Sequence, residues 1–439
     1  MEATVRRILK RLVISASALL AVLAAAGPNE VRAEQAENGD VIVIFRDGTD
    51  PGARDLILRQ AGAAPRRHYR VVTAAAAHLP HAGVRAFLEQ HPSVAQVIPD
   101  RPMFAHAQVT PAGVSRIGAA PGSLTWTGNG VGVAVADTGL DFNHLDLRPI
   151  GQGCFTAYAS CQDDNGHGTH VGGTIAARNN TIDVVGVAPG ATLYAVKVLN
   201  NQGSGSDSTV MAGLDWVADN ANLVVPRIRV VNMSLGRAGT LDDNPALRAA
   251  VQALHGMDIS VVASAGNDSS KEVSQMVPAG YPEVMAVAST TALDGSNNRC
   301  KFYTGTIKRD TASYFTTDGD FDAASGIGVT ISAPGADKEN ISRSCFVSSV
   351  GILSTKLGGG TTRMSGTSMA APHVAGVVAL MWQQAISQSQ TGTLGPEEAR
   401  VNIRATASRI GVAPLNSPTT GYSFDGEREG ILSAAGALQ

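Results

Sequence analysis

The stretch Val131-Gly132-Val133-Ala134-Val135-Ala136-Asp137-Thr138-Gly139 decides how this chain folds. Six small or apolar residues run without a polar break and end in Asp-Thr-Gly. An unbroken apolar run of strand length, rather than an alternating one, marks a strand buried on both faces. Residues 193–199, 228–233, 259–264 and 284–288 have the same texture, and segments of helical spacing at 169–177, 208–219 and 246–255 alternate with them. Buried strands alternating with helices argue an α/β fold, a doubly wound parallel sheet covered on both faces. Ligands of such folds bind outside the carboxyl ends of the strands. Asp137 and Asn267 each fall just at such an end.

Composition narrows the function. With 44% hydrophobic and 16% charged residues among 439, the chain can bury a large core. A net charge of −3 and no long basic tract give no sign of a nucleic-acid or membrane-surface partner. Arg6, Arg7, Lys10 and Arg11 precede an apolar run over residues 12–26, with Val31-Arg32-Ala33 as a cleavage site. This pattern predicts a secretory signal peptide over residues 1–33. Its apolar run is shorter than the roughly 20 residues that span a bilayer, so a secreted protein, extracellular or periplasmic, with no membrane span after cleavage is expected. The four cysteines, an even number in an exported chain, suggest disulfides, with Cys154–Cys161 and Cys300–Cys345 as the local pairings; free thiols are the competing reading.

Residues 34–106 read as a separate small α+β unit: strands at 40–45, 70–72 and 94–98, helices at 51–61 and 82–90. Residues 294–350 are polar and irregular, an extended surface excursion with short strands only. A late helix at 395–407, a turn at 421–424 and a closing segment at 431–438 end the chain.

Three further segments carry chemistry. Asp164-Asn165-Gly166-His167-Gly168-Thr169-His170 puts a histidine at a glycine-flanked helix start. Ser264-Ala265-Gly266-Asn267-Asp268 puts an amide just past a strand. Gly366-Thr367-Ser368-Met369-Ala370-Ala371-Pro372-His373 turns a glycine bend into an apolar helix, where a serine meets a positive dipole end and free N–H groups. Pro372 fits early in that helix. Each alone has a plain reading: Ser368 as a helix cap, Asp137 and Asn267 as turn residues. His167 and His170 do not form the H-E-x-x-H of a zinc site. Taken together, nucleophile, base, orienting acid and amide donor are the set that acyl transfer requires.

At this point the sequence resembles the subtilisin-like serine proteases of the peptidase S8 family. Asp137-Thr138-Gly139, His167-Gly168-Thr169-His170 and the Ser368 segment are similar to its three signatures, in its Asp–His–Ser order. The glutamate-using sedolisins match less well, since His167 and Asn267 are both in place. The resemblance implies Ser368 as nucleophile, His167 as general acid/base, Asp137 as its partner, and Asn267 with the Ser368 N–H as oxyanion donors. It implies that Gly203, Ser204 and Gly205, and on the other side Ser234, Leu235 and Gly236, bind polypeptide substrate by strand addition. It implies a structural Ca²⁺ held by side chains of Gln108, Asp146 and Asn180 and carbonyls of Arg178, Ile182 and Val184, although Arg178 and Asp183 depart from the small residues usual there. A weaker cation site near Ala279, Tyr281 and Val284 is a further expectation. Residues 34–106 resemble the family's ferredoxin-like, inhibitor-I9-type prodomain, an intramolecular inhibitor released by self-cleavage after His106, leaving a peptidase domain over 107–439. The expected product is a monomeric secreted endopeptidase. Two other readings stay open: a dedicated processing protease with one partner substrate, and a catalytically silent protease fold that only binds.

Overall fold

The computed structural model describes residues 39–100, 108–153, 158, 160–388, 392–419 and 426–439. The expected signal peptide, the cleavage point after His106, Cys154 and the turn at 421–424 lie outside the described residues. The chain divides into two compact units between residues 105 and 106.

The first unit runs β1 (Gly39–Phe45), α1 (Pro51–Gln60), β2 (Ala64–His68), β3 (Ala74–Leu79), α2 (Ala82–Gln90) and β4 (Val94–Pro99). The sheet order β2-β3-β1-β4 makes it a split β-α-β unit. Val43, Leu58, Leu79 and Leu88 form its core with no exposed surface. The expected strand at 70–72 is instead part of the β2–β3 connection, where Val71 is 97% exposed. The strand that takes its place holds four alanines, Ala74 to Ala77, all buried. Alanine has little strand preference, so tertiary burial, not local propensity, makes this strand.

The second unit contains α3 (Ala112–Arg116), β5 (Gly132–Asp137), β6 (Pro149–Gly153), α4 (His167–Ala176), β7 (Thr192–Lys197), α5 (Asp207–Asn220), β8 (Ile228–Met233), β9 (Arg237–Ala238), α6 (Pro245–His255) and β10 (Ser260–Ser264). Then follow β11 (Met276–Val277), β12 (Val284–Thr291), β13 (Val329–Ala336), β14 (Lys338–Ile341), β15 (Val347–Val350), β16 (Ile352–Thr355), β17 (Thr361–Met364), α7 (Thr367–Gln388), α8 (Pro396–Ala405) and α9 (Ala434–Ala437). Seven strands form one sheet in the order β13-β12-β10-β8-β5-β7-β6. Every pairing in it is parallel. In β5, Val133 and Val135 face one core with α4 and α7, while Ala134 and Ala136 face the other with α5 and α6. The unbroken apolar run is thus the sum of two alternating faces.

The chain passes from β5 to β7 on one side of β5, then to β8 on the other. This reversal flanks β5, the place where such sheets open a crevice. The segment at 294–350 is not all excursion: β13 lies within it, with all eight residues buried, and forms the sheet edge beside β12. The remainder is tied by a Cys300–Cys345 disulfide with a Cα–Cα distance of 5.1 Å. Cys161 is also disulfide-bonded. No helix among the described residues is long and apolar enough to cross a membrane.

Helix α7 packs closely on the loop between α4 and β7 where it carries a glycine. A Cβ on Gly376 would lie 2.6 Å from the Cβ of Val187. Gly376→Ala is therefore expected to destabilise the second unit by about 1–3 kcal/mol through overpacking. Alanine's helix propensity, worth about 1 kcal/mol, offsets only part of this. Urea unfolding of inhibitor-blocked protein measures the difference, and a more stable variant would contradict the close approach.

Candidate active site

Asp137 is the last residue of β5 and has no exposed surface. His167 opens α4, and its Nδ1 lies 2.8 Å from Asp137 Oδ1 and 3.0 Å from Oδ2. Asp137 Oδ1 also accepts from the Thr138 N–H at 2.7 Å. Burial pushes the His167 pKa down, but the Asp137 carboxylate beside it more than compensates, and the imidazole ends above its usual value. With Nδ1 committed to the acid, Nε2 is the nitrogen left for proton transfer.

The histidine turn is held by a residue that the sequence reading passed over. Asp163, 3% exposed, accepts from Thr138 Oγ1, the N–H groups of Asn165, Gly166 and Thr169, and Thr169 Oγ1, at 2.6–3.0 Å. Thr138 Oγ1 in turn accepts from the Gly168 N–H at 2.9 Å. One carboxylate thus ties the loop after β5 to the start of α4. The signal in the sequence was an aspartate three residues before the turn glycine, an Asx-turn position.

Ser368 is the second residue of α7, where N–H groups have no intrahelical acceptor. Its hydroxyl donates to Ser234 O at 3.2 Å rather than to His167. Catalytic hydrogen bonds are commonly loose without substrate and tighten in the complex. Asn267 Oδ1 accepts from the Thr367 N–H and from Thr367 Oγ1, both at 2.9 Å. These two donors fix which way the carboxamide faces and leave its Nδ2 hydrogens to the cleft.

His167, Ser368 and Asn267 line one cleft of about 660 Å³, with Asp137 behind the histidine. Gly203, Ser204 and Gly205 line it on one side, Ser234, Leu235 and Gly236 on the other. Val210, Leu247, Met276 and Val277 add apolar lining. No residue of 294–350 lines it. A carboxylate–imidazole pair, a hydroxyl at a helix N-terminus and an amide donor around one cleft can perform acyl transfer.

The expected cation ligands converge elsewhere, on the loop after α4. Gln108 Nε2 lies 2.6 Å from Arg178 O, 3.0 Å from Val184 O, 3.4 Å from Ile182 O and 3.5 Å from Asn180 Oδ1. Four oxygens thus face one point, and a flip of the Gln108 amide would present a fifth. Asp146 is fully buried; its Oδ2 accepts from the Val184 N–H at 3.1 Å while Oδ1 has no partner. Burial pushes this carboxyl up to about 6. An all-oxygen donor set with an orphaned buried carboxylate oxygen fits a hard cation. At the weaker expected site, Arg400 Nη2 already donates to Pro282 O at 2.5 Å and Val284 O at 3.3 Å, which argues against a second cation there.

The comparisons with known proteins agree with this arrangement. A model described as the subtilase family matches residues 128–432. Subtilisin E of Bacillus subtilis (strain 168) is 36% identical over 360 residues, 81% of either chain. M-protease of Shouchella clausii (strain KSM-K16) is 38% identical over 326 residues, 74% of this chain and 71% of the relative. Subtilisin Savinase of Lederbergia lenta is 39% identical over 311 residues, 70% of this chain and 95% of the relative. With the match covering the strand ends and helix starts that carry Asp137, His167, Asn267 and Ser368, the chain belongs to the subtilase family of serine proteases.

Proposed function

We propose that the protein is a secreted endopeptidase made as a self-processing precursor, and that Asp137, His167 and Ser368 are its catalytic triad. The observation that carries the reading is the 2.8 Å His167–Asp137 contact in the cleft that Ser368 shares. Ser368 Oγ attacks the scissile carbonyl carbon while His167 Nε2 takes its proton. Asp137 holds the ring tautomer and stabilises the imidazolium. Asn267 Nδ2 and the Ser368 N–H receive the oxyanion. His167 then protonates the leaving amine, and water releases the acyl group by the same steps. Gly203–Gly205 and Ser234–Gly236 hold an extended substrate between them, and side-chain-poor walls favour reading of main chain over side chains.

Residues 34–106 serve as an inhibitory prodomain; the split β-α-β topology over 39–99 supports this. The oxygens around Gln108 and the unpartnered Asp146 Oδ1 support a structural Ca²⁺. When bound, the ion would neutralise Asp146 and stiffen the loop 178–184.

Ser368→Ala is expected to abolish peptide hydrolysis and leave the precursor uncut after His106, with residues 34–106 still attached, read by casein digestion and terminal sequencing. A variant that matures alone and cleaves casein would overturn the assignment. The pH profile follows from His167. As base it must be neutral, so kcat/KM falls as pH drops through its raised pKa, and the acid limb lies above the ordinary imidazole value of about 6.5. Asp137→Asn removes the raising charge, so that limb shifts to lower pH and kcat drops by about 10⁴. A limb that stays in place in this variant would detach Asp137 from His167. Chelation by EDTA is expected to lower the melting temperature by mass action, and Asp146→Ala to remove most of that difference. An EDTA-insensitive melting temperature in the unsubstituted protein would eliminate the cation.

A further inference from the structure

The segment 292–328, between β12 and β13, lines no part of the cleft among the described residues, yet it reaches the back of the Asn267 loop. Thr317, with no exposed surface, straddles Asn267. Its N–H donates to Gly266 O at 3.0 Å. Its Oγ1 accepts from the Asp268 N–H at 3.2 Å and donates to Asp268 O at 3.0 Å. Both residues that flank Asn267 are therefore gripped by one threonine, through its main chain on one side and its hydroxyl on the other.

The threonine is itself fixed from the sheet. The Ser289 N–H of β12 donates to Thr316 Oγ1 at 2.9 Å, and that hydroxyl donates to Thr317 O at 3.0 Å. On the far side, Asp318 O accepts from the Val273 N–H at 2.7 Å. Gly266 lies at φ +122°, and a Cβ there would sit 2.7 Å from Thr317 Oγ1. The loop and the threonine meet this closely because position 266 carries no side chain.

Thr367 sets the rotation of the Asn267 carboxamide, but not where the backbone carries it. A donor must be held to about 0.5 Å to serve a transition state, and a misplacement of about 1 Å can cost about 10² in rate. We infer that Thr317 is a positioning residue for Asn267, a strut from the sheet that sets how far its Nδ2 reaches toward the oxyanion. This rests on the reading of Asn267 as an oxyanion donor. Because the interaction it supports forms in the transition state, its loss shows in kcat and not in KM.

The test compares Thr317→Val and Thr317→Ala, which remove the hydroxyl, with Thr317→Ser, which keeps it. Each is made alone and combined with Asn267→Ala, and kcat and KM are measured on a soluble peptide substrate per titrated active site, so that unfolded protein does not count. Val and Ala are expected to lower kcat by about tenfold, less than the about 10²–10³ known for loss of the oxyanion asparagine in subtilisin. KM stays within about twofold, and Ser restores most of the rate. On the Asn267→Ala background, Thr317→Val is expected to have no further effect on kcat. The inference is overturned if Ser loses as much as Val, if Val and Ala keep full kcat, or if the loss is the same with Asn267 absent. An Asn267→Ala variant with undiminished kcat would instead remove the donor reading, and the strut with it.

Discussion

The catalytic centre depends on holding one carboxylate, Asp137, dry against an imidazole. Asp137 has no exposed surface and closes a strand that is otherwise apolar. A buried carboxylate without partners costs on the order of several kcal/mol, so its oxygens must be met by donors from nearby chain. The Thr138 N–H and His167 Nδ1 do this, which requires α4 to begin almost on top of β5. A Cβ on Gly168 would lie 2.1 Å from Gly139 O and 3.2 Å from Asp137 Oδ1. Gly139, at φ +105°, would place its own Cβ 2.4 Å from Cys161 O. The glycines beside Asp137 and His167 are thus steric conditions for the carboxylate–imidazole contact, and Asp163 locks the approach from behind.

Ser368, the proposed nucleophile, is tied to the cleft wall at Ser234 by a consequence of Pro372. Proline has no N–H, so the carbonyl four residues earlier in α7 loses its helical donor. That carbonyl belongs to Ser368, and Ser234 Oγ fills the gap at 2.8 Å, itself receiving Asn232 Nδ2 at 2.9 Å. The Ser368 hydroxyl meets the carbonyl of the same Ser234. One residue of the wall 234–236 therefore fixes the nucleophile through main chain and side chain together. His373, one turn on, is fully buried and bonded through Nδ1 to Met369 O; burial pushes it down to about 4. It is neutral at working pH, a packing group whose ring occupies the space that a side chain at Gly113 would need.

The loop 178–184 is strained, and of its residues Val184 alone is buried. Thr181 and Asp183 both have positive φ, 75° and 46°, unusual for residues with a Cβ. Such turns are costly, and here they aim the carbonyls of Ile182 and Val184 at the same point as Arg178 O. Oxygen dipoles facing one another repel, with the Asp146 carboxylate close by. A donor group or a cation at their focus removes the repulsion. Arg178 faces that point only through its carbonyl, while Asp183 O accepts from the Val109 N–H at 2.8 Å and the Asp183 charge adds to what holds the Asp146 pKa up.

Legibility in the sequence followed the physics of each feature. The strand ends near Asp137 and Asn267 were readable because a buried parallel strand needs an unbroken apolar run, and its carboxyl end is where polar residues return; Ser368 was readable from the glycine bend that opens an apolar helix. β13 was not, because Val329–Ala336 mixes threonine, serine, proline and glycine into a strand that is buried by tertiary neighbours, chiefly β12 and α7. β3 was hidden in alanines for the same reason. Asp163 and Thr317 were hidden differently. Both act mostly on main-chain groups, Asp163 on its own turn and Thr317 on another loop, and backbone N–H and C=O groups carry no letter in a sequence. A motif displays the groups that meet substrate; the residues that hold its backbone lie wherever the fold brings a short polar side chain, 4 residues away for Asp163 and 50 away for Thr317. The second distance passes through β11 and through β12 of the large sheet, so only the assembled parallel order places Thr317 behind Asn267.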